Sequence, residues 1–515
     1  MFYSVLFPDS AAFSRQAQQE NEPECFKDLN LGQVFEPIFK ANKDFGLESL
    51  FYTPLQNTQV IAYRQDVMRE LENDELRGMV AKFAKTVWSL GRRMDLTRKA
   101  LASGRDGDNN YLAKGRMLDY AQRYCHAVST LSGQLAGMTL RSEGLRGFSE
   151  YILSLCSSQR YKEFYSRVER LRGDFSAVEY CMLIKNGTIR VQKREGQPDL
   201  SEQIIKTFEK FRQGDVKDYR QNLPEESYAA HVEAAVLNMV AGLYRDTFAD
   251  LNDFCKEYIR FDDETLFRFA REVQFYLSWL DYIRPLRAAG LPFQYPEISE
   301  TPDDLYNREG FDIALAAFLL EKTVKNDFML KKPEQIIVVT GPNQGGKTTF
   351  ARAFGQTHYL ASLGLCVPGR EAKLYLFDHI FTHFSREEDI STLNGKLQDD
   401  LVRLRDLLSG ASEKSIIIIN EIFTSTTVND AVTLGRYMMD ALTALKAPAV
   451  IVTFLDEIAN YGANTVSMMS MVEKDDLTQR TFKIVRKPPD GLAFAIYIAG
   501  KHGLTYELLS RRLKK

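Results

Sequence analysis

The stretch IIVVTGPNQGGKTTF, from Ile336 to Phe350, decides how the C-terminal part of this sequence is read. A run of β-prone residues ends at Thr340 and enters a loop holding Gly341, Gly345 and Gly346, after which FARAFGQTHYLASLG reads as helix. The loop fits G-x-x-x-x-G-K-[ST] through Gly341, Gly346, Lys347 and Thr348, in the order of strand, loop and helix that the pattern requires. Glycines let backbone N–H groups curl around phosphate oxygens, and the helix N-terminus favours an anion. Lys347 would neutralise the β and γ oxygens, and Thr348 would offer its hydroxyl to magnesium. Gly341, Pro342, Asn343, Gln344, Gly345, Gly346, Lys347, Thr348 and Thr349 are thus the candidate ATP-binding residues.

Further along, SIIIIN (415–420) is a second buried-strand run, with Glu421 directly after it. A Walker B strand ordinarily ends in Asp and then Glu; here Asn420 stands at the first place. Glu421 is the candidate base, placed to orient and deprotonate a water attacking the γ-phosphate; the other reading is that it caps the next segment. Asn420 would hold magnesium only through a metal-bound water, which predicts a slower or more magnesium-demanding ATPase.

Around these motifs the runs IIVVT, SIIIIN and AVIVTF alternate with helical segments, the signature of a mostly parallel sheet with helices on both faces. Upstream the grammar is different. From about Phe45 to Arg287 the periodicity is helical, with few Gly or Pro breaks. Val232, Val236, Met239, Val240, Leu243, Leu251, Phe254 and Tyr258 recur at three- and four-residue steps, predicting one helix of about seven turns, roughly 40 Å long. A second helix is expected to open at Asp262 or Asp263, run through Leu266, Phe269, Val273, Leu277 and Leu280, and stop before Pro285. Together they predict an extended helical hairpin over about 226–284. Within YCMLIKNGTIRVQ, Asn186-Gly187 between two β-prone runs predicts a tight β-hairpin. The Pro- and acid-rich run GLPFQYPEISETPDD (290–304) marks a boundary. The chain divides into an N-terminal segment (1–44), a helical core (45–300), a linker (301–318) and an α/β P-loop domain (319–515).

Hydrophobic residues at 44% and charged residues at 26% describe a well-packed globular chain rather than a disordered one. The net charge of −3 excludes a global positive field, so any nucleic-acid binding must use a local patch. Two basic clusters qualify: Arg92, Arg93, Arg98 and Lys99, and Lys185, Arg190, Lys193 and Arg194. Each is also an ordinary solvated face. The six cysteines form no C-x-x-C, and the opening MFYSVLFPDS has no signal-peptide features, so a soluble protein in a reducing, cytoplasmic setting is expected, without a membrane partner. SGRDGDNN (103–110) resembles a calcium loop only superficially, because Tyr111 falls where glycine is obligatory; a solvated turn is expected. His379 and His383, four apart with no third ligand, read as surface or packing residues.

GPNQGGKTT, with Asn343 after Gly-Pro, resembles the MutS family specifically. The resemblance continues through FDHIFTHFSREEDI (377–390), NEIFTSTTVNDAVTLG (420–435) and GLAFAIYIAGKHGLTYELLSRR, and fainter through LFYTPLQNTQVIAYRQDVMRELENDELR (50–77). It implies a homodimer whose two ATPase domains complete each other's nucleotide sites. It also implies helical levers and clamps that grip DNA, with the 226–284 hairpin as the candidate clamp. Asn343 is then expected near the γ-phosphate. The departures carry expectations of their own. No stretch before Phe45 could hold the family's mismatch-reading module, and the Smr domain of the MutS2 branch is expected to be absent. The Ser-rich segment that acts across the dimer is altered to STLNGKLQDDL, leaving Ser391, Asn394 and Gly395 as alternatives. Thr453-Phe454 replaces the usual Thr-His, and Phe454 cannot hydrogen-bond a γ-phosphate. Three functions are thereby open: an ATP-gated DNA clamp that does not read mismatches, a MutS2-like ATPase directed at ribosomes or RNA (Val324 to Asp327, VKND, resembles that branch), and a weakly hydrolysing regulatory dimer.

Overall fold

The computed structural model describes residues 3–15, 19–102, 110–186, 188–196, 207, 228–385, 395–473, 479–489, 504–506 and 509–510. The chain forms two compact units, one of Met1–Arg77, Leu140–Arg146 and Arg271–Lys515, the other of Gly78–Thr139 and Gly147–Ala270. Among the described residues, no helix is long and apolar enough to cross a membrane.

The second unit is built on helices, with long apolar stripes from Asp74–Ala102, Tyr111–Ala136 and Gln159–Ser176 burying Phe83, Val87, Tyr124, Val128, Phe164 and Leu171. Strands β1 (Tyr180–Lys185) and β2 (Thr188–Lys193) pair antiparallel, with Lys185 opposite Thr188. Asn186 takes φ 52°, the left-handed conformation a two-residue turn requires, while Gly187 lies outside the described residues. The calcium-like run falls outside them too, except for Asn110, whose side chain accepts from Ala113 N (3.1 Å) and caps the next helix.

The single seven-turn helix is instead two, Tyr228–Leu243 and Arg245–Glu257. Tyr244 breaks it, at φ −121° and ψ 53°. Its hydroxyl donates to the Glu179 carbonyl (2.6 Å) and its ring lies 4.9 Å from Lys193 Nζ, contacts that a periodicity count cannot foresee. Val236 and Val240 are buried beside Ile189 and Val191 of the β-hairpin, but Val232 and Met239 are exposed. The following helix, Glu264–Ala288, is capped by Asp263, whose Oδ1 accepts from Thr265 N (2.9 Å) and Leu266 N (3.1 Å). Asp262 is occupied otherwise, in an ion pair with Arg98. The helix does not stop before Pro285. Proline sits in the last turn, where it forfeits one backbone bond, and Ala289 N resumes the pattern to the Pro285 carbonyl (3.1 Å).

The stretch read as a linker is also structured. After β3 (Phe293–Gln294) and β4 (Glu297–Ser299), strand β5 (Leu305–Gly310) and the helix Ile313–Leu319 occupy most of 301–318. Buried Leu305, Phe311 and Ile313 hold it in the core. Strand β6 (Asn326–Leu330) pairs with β5, and with β4 and β9 (Glu371–Tyr375) they make a four-stranded sheet in the order β4-β9-β5-β6.

The sheet that carries the site has six strands. These are β7 (Ile336–Thr340), β10 (Ile380–Phe384), β11 (Ile416–Asn420), β12 (Ala449–Val452), β13 (Thr465–Val472) and β14 (Arg480–Arg486). A short β8 (Val367–Pro368) pairs with β3. Order across the large sheet is β10-β11-β12-β7-β13-β14, parallel except for the last pair. Successive side chains of a strand point to opposite faces. Ile417 and Ile419 pack with Leu404 and Leu407 of helix Lys396–Gly410 and with Met438, Met439 and Leu442 of helix Val428–Leu445. Ile418 faces the other way, onto Gly355 of helix Lys347–Ser362. That helix is covered on its outer side as well. Phe26 meets Tyr359 edge to face at 5.0 Å, Gln356 Nε2 donates to the Leu29 carbonyl (2.8 Å), and Tyr359 OH to the Phe51 carbonyl (2.9 Å). The N-terminal residues therefore belong to the same packed unit as the parallel sheet.

Candidate active site

The loop after β7 lies at the carboxyl ends of parallel strands, where open α/β sheets bind ligands. Its shape depends on glycine, first at Gly341, which stands at φ 112°. A Cβ on Gly345 would overlap Ser470 Oγ, which donates to the Gly345 carbonyl (2.6 Å), and Gly346 stands at φ 90° as the helix begins. Gln344, at φ 60°, shares the strained path.

Lys347 is buried and curls back over the loop. Its Nζ donates to the Gly341 carbonyl (2.9 Å), the Pro342 carbonyl (3.1 Å) and Asn343 Oδ1 (3.4 Å). Burial pushes its pKa below the usual lysine range; Glu421 opposes that shift and Arg480 reinforces it. Thr348 Oγ1 donates to Asn420 Oδ1 at 2.8 Å, which joins the start of the helix to the end of β11. Glu421 follows with φ 54°, its N–H held by the Val452 carbonyl (2.9 Å). A non-glycine residue held left-handed at a strand end is the kind of strain that functional sites maintain.

These groups meet at a cavity of about 490 Å³. One side is the loop, from Gln344 to Thr349, with Glu421. The other comes from residues outside the motifs: Asp312, Leu315, Leu319, Lys322, Thr323, Val324, Asn326 and Phe482. Asp312 caps its helix through Leu315 N (3.1 Å) and accepts from Gln356 Nε2 (2.8 Å); burial raises its pKa. Thr323 Oγ1 is buried in this wall with no hydrogen-bond partner. Only VKND had been marked in the sequence, and for resemblance; no periodicity points Phe482 of an edge strand at this cavity.

Other candidates lie elsewhere. Ser391 and Asn394 are outside the described residues, and Gly395 begins helix Lys396–Gly410 without lining the cavity. Phe454 is half exposed after β12, while Thr453 donates its N–H to the Val339 carbonyl (3.1 Å) and accepts from Leu455 N (3.1 Å). His383 is buried against Asp400 (Nε2 to Oδ1, 3.2 Å) and His379 is exposed, the packing and surface roles expected. Among the described residues no group of three or more His, Cys, Asp or Glu could hold a metal ion.

Residues 337–512 match MutS domain V. The chain is 23% identical over 399 residues to the DNA mismatch repair protein MutS of Fervidobacterium nodosum, covering 75% of this chain and 46% of that one. It is 22% identical over 494 residues to the Endonuclease MutS2 of Thermus thermophilus, covering 87% of this chain and 65% of that one. With the Endonuclease MutS2 of Ligilactobacillus salivarius the identity is 30% over 234 residues, 44% of this chain and 29% of the relative. The chain thus spans less than two thirds of the length of each. A parallel sheet, a glycine loop and a Lys-Thr pair stand in the places that the match covers, so residues 337–512 of this chain are a MutS domain V.

Proposed function

We propose that this chain is an ATP-dependent DNA-binding clamp of the MutS type, which binds and hydrolyses ATP to switch a homodimer on DNA. The observation that carries the reading is the convergence of Lys347, Thr348 and Glu421 on one cavity, with Asn420 tied to it through the Thr348 hydroxyl. Phosphates fit the loop, where backbone N–H groups and the helix N-terminus favour an anion and Lys347 would exchange loop carbonyls for β and γ oxygens. The apolar wall of Leu315, Leu319, Val324 and Phe482 suits the nucleobase side. Glu421 acts as the base that takes a proton from the attacking water.

Mg²⁺ fits this site in part. Thr348 is the protein oxygen placed to coordinate it, its hydroxyl hydrogen already given to Asn420. When bound, the ion neutralises charge that develops on the phosphates. The DNA part of the proposal draws on the relatives, one of which is a DNA mismatch repair protein. Of the basic clusters, the one on helix Asp74–Ala102 spends Arg98 on Asp262, Asp95 and the Ile259 carbonyl (2.8 Å). Lys185 and Arg190 are exposed on the β-hairpin.

A second reading has specific support. Asn420 at the end of β11 and Phe454 after β12 both remove polar chemistry that favours turnover, consistent with a dimer that binds ATP and hydrolyses it poorly.

ATP hydrolysis by the purified chain, alone and with linear duplex, branched DNA or ribosomes, tests these readings. Stimulation by branched DNA that disappears in E421A supports the clamp. Stimulation by ribosomes alone moves the protein to translation. Tight binding with no stimulated turnover favours the regulatory dimer.

A further inference from the structure

Strand β14 brings the loop a cation that the glycine-loop pattern does not include. Arg480 Nε donates to the Asn343 carbonyl at 3.2 Å, while Asn343 Oδ1 accepts from Lys347 Nζ at 3.4 Å. Two positive side chains are therefore tied to one loop residue, the lysine through its side chain and the arginine through its backbone. The arginine's field reaches the lysine, since it helps to lower the Lys347 pKa. Two residues along the same strand, where a bulge turns the backbone left-handed at φ 58°, Phe482 lines the nucleotide cavity and comes within 3.6 Å of a Cβ built on Gly346. The start of β14 thus runs beside the loop, with Arg480 at the phosphate end and Phe482 at the wall. Across the site, position 420 holds an uncharged amide. Lys347 and Arg480 against Glu421 leave the site with a net positive charge; an aspartate at 420 and a neutral residue at 480 would leave it net negative.

We infer that Arg480 is a phosphate-binding residue acting within its own chain, which holds nucleoside triphosphate together with Lys347 and supplies part of the charge that Mg²⁺ otherwise provides. The inference rests on the reading of the loop as an ATP site. A guanidinium presents a planar fork that matches phosphate oxygens, and its anchored Nε sets the plane. Arg480 makes further interactions in the structure, with which phosphate would compete. Asn420 complements it, because an aspartate there would repel a triphosphate that lacks its metal.

The test is binding of a fluorescent ATP analogue to the full chain in Mg²⁺ and in EDTA, comparing wild type with R480Q, R480K and K347A, with thermal melting of each. Wild type is expected to retain binding in EDTA. R480Q should bind about tenfold more weakly there, the size of one charge-assisted hydrogen bond, with a smaller loss in Mg²⁺, and R480K should recover part of the deficit. Wild-type binding that requires Mg²⁺ overturns the inference, and so does R480Q binding like wild type in EDTA. Equal losses in both conditions with a lowered melting temperature would make Arg480 a structural residue and overturn it too. K347A sets the two levels apart. If K347A abolishes binding while R480Q is silent, the arginine's role alone is wrong; if both bind like wild type, the loop is not the ATP site.

Discussion

Asn420 concentrates the chemistry of the site in a single atom pair. Its Oδ1 accepts the Thr348 hydroxyl at 2.8 Å, a bond that aspartate could accept equally well. The difference lies in charge: the second lone pair of the amide oxygen can still accept from a metal-bound water, but without the negative charge of an aspartate, and the other end of the side chain only donates. N420D should therefore lower the Mg²⁺ concentration for half-maximal hydrolysis about tenfold, a typical effect for groups that orient a metal's ligands. Magnesium titration of steady-state turnover checks this, and an unchanged midpoint with an unchanged rate would refute it. Lys347 and Thr348 were legible in the sequence as candidates because they follow a β-rich run and a glycine loop at the start of a helix, and Asn420 and Glu421 because they close a second β-rich run. Arg480 and Phe482 were not. They reach the loop from an antiparallel edge strand whose partner, β13, leaves no local mark of where its neighbour will point.

Helix Lys347–Ser362 shows what periodicity does and does not reveal. A helical segment after the loop was plain, but nearly all of its residues are buried, which no amphipathic pattern announces. His358 is among them, its Nδ1 2.8 Å from the Phe354 carbonyl and its ring packed on Phe354 at 4.4 Å. Burial lowers its pKa from 6.5 to about 4. The unfolded chain then binds a proton that the folded one refuses, so the neutral histidine's stabilisation is complete above pH 6.5 and is lost as pH falls toward about 4. H358L removes the leak. The stability gap between wild type and H358L should shift by about 1.5 kcal/mol in favour of the variant between pH 6.5 and 5, measured by urea denaturation at each pH. A gap that is flat across this window would mean that His358 does not titrate on unfolding. The broken helix at Tyr244 shows the complementary limit, since apolar spacing continues across 232–258 while the backbone leaves the helix at Tyr244, whose hydroxyl is bonded to the Glu179 carbonyl.

At the scale of the molecule, sequence grammar separated a helical region from an α/β region but misjudged where the packed unit begins. Composition changes near 290–304, yet residues 1–77 cover the phosphate-loop helix and share a unit with the sheet. Periodicity tells which side of a helix is buried, not what buries it. A fragment of residues 319–515 would lose the contacts of Tyr359 with Phe26 and Phe51, of Gln356 with Leu29 and Asp312, and of Arg352 Nε with the Asp28 carbonyl (2.9 Å). Large aromatic contacts of this kind are each worth several kcal/mol when deleted, at about 3–5 for Phe to Ala, so the fragment should show no cooperative thermal transition by circular dichroism. A cooperative melt matching the full chain would show that the N-terminal cover is dispensable. The interleaving also sets an order in time. Residues 1–77 leave the ribosome before 78–270, and their partners in 271–515 do not yet exist. At about 5–20 residues per second, Phe26, Leu29 and Phe51 spend roughly 10–40 s waiting while the intervening stretch is made, exposed to whatever chaperones attend the nascent chain.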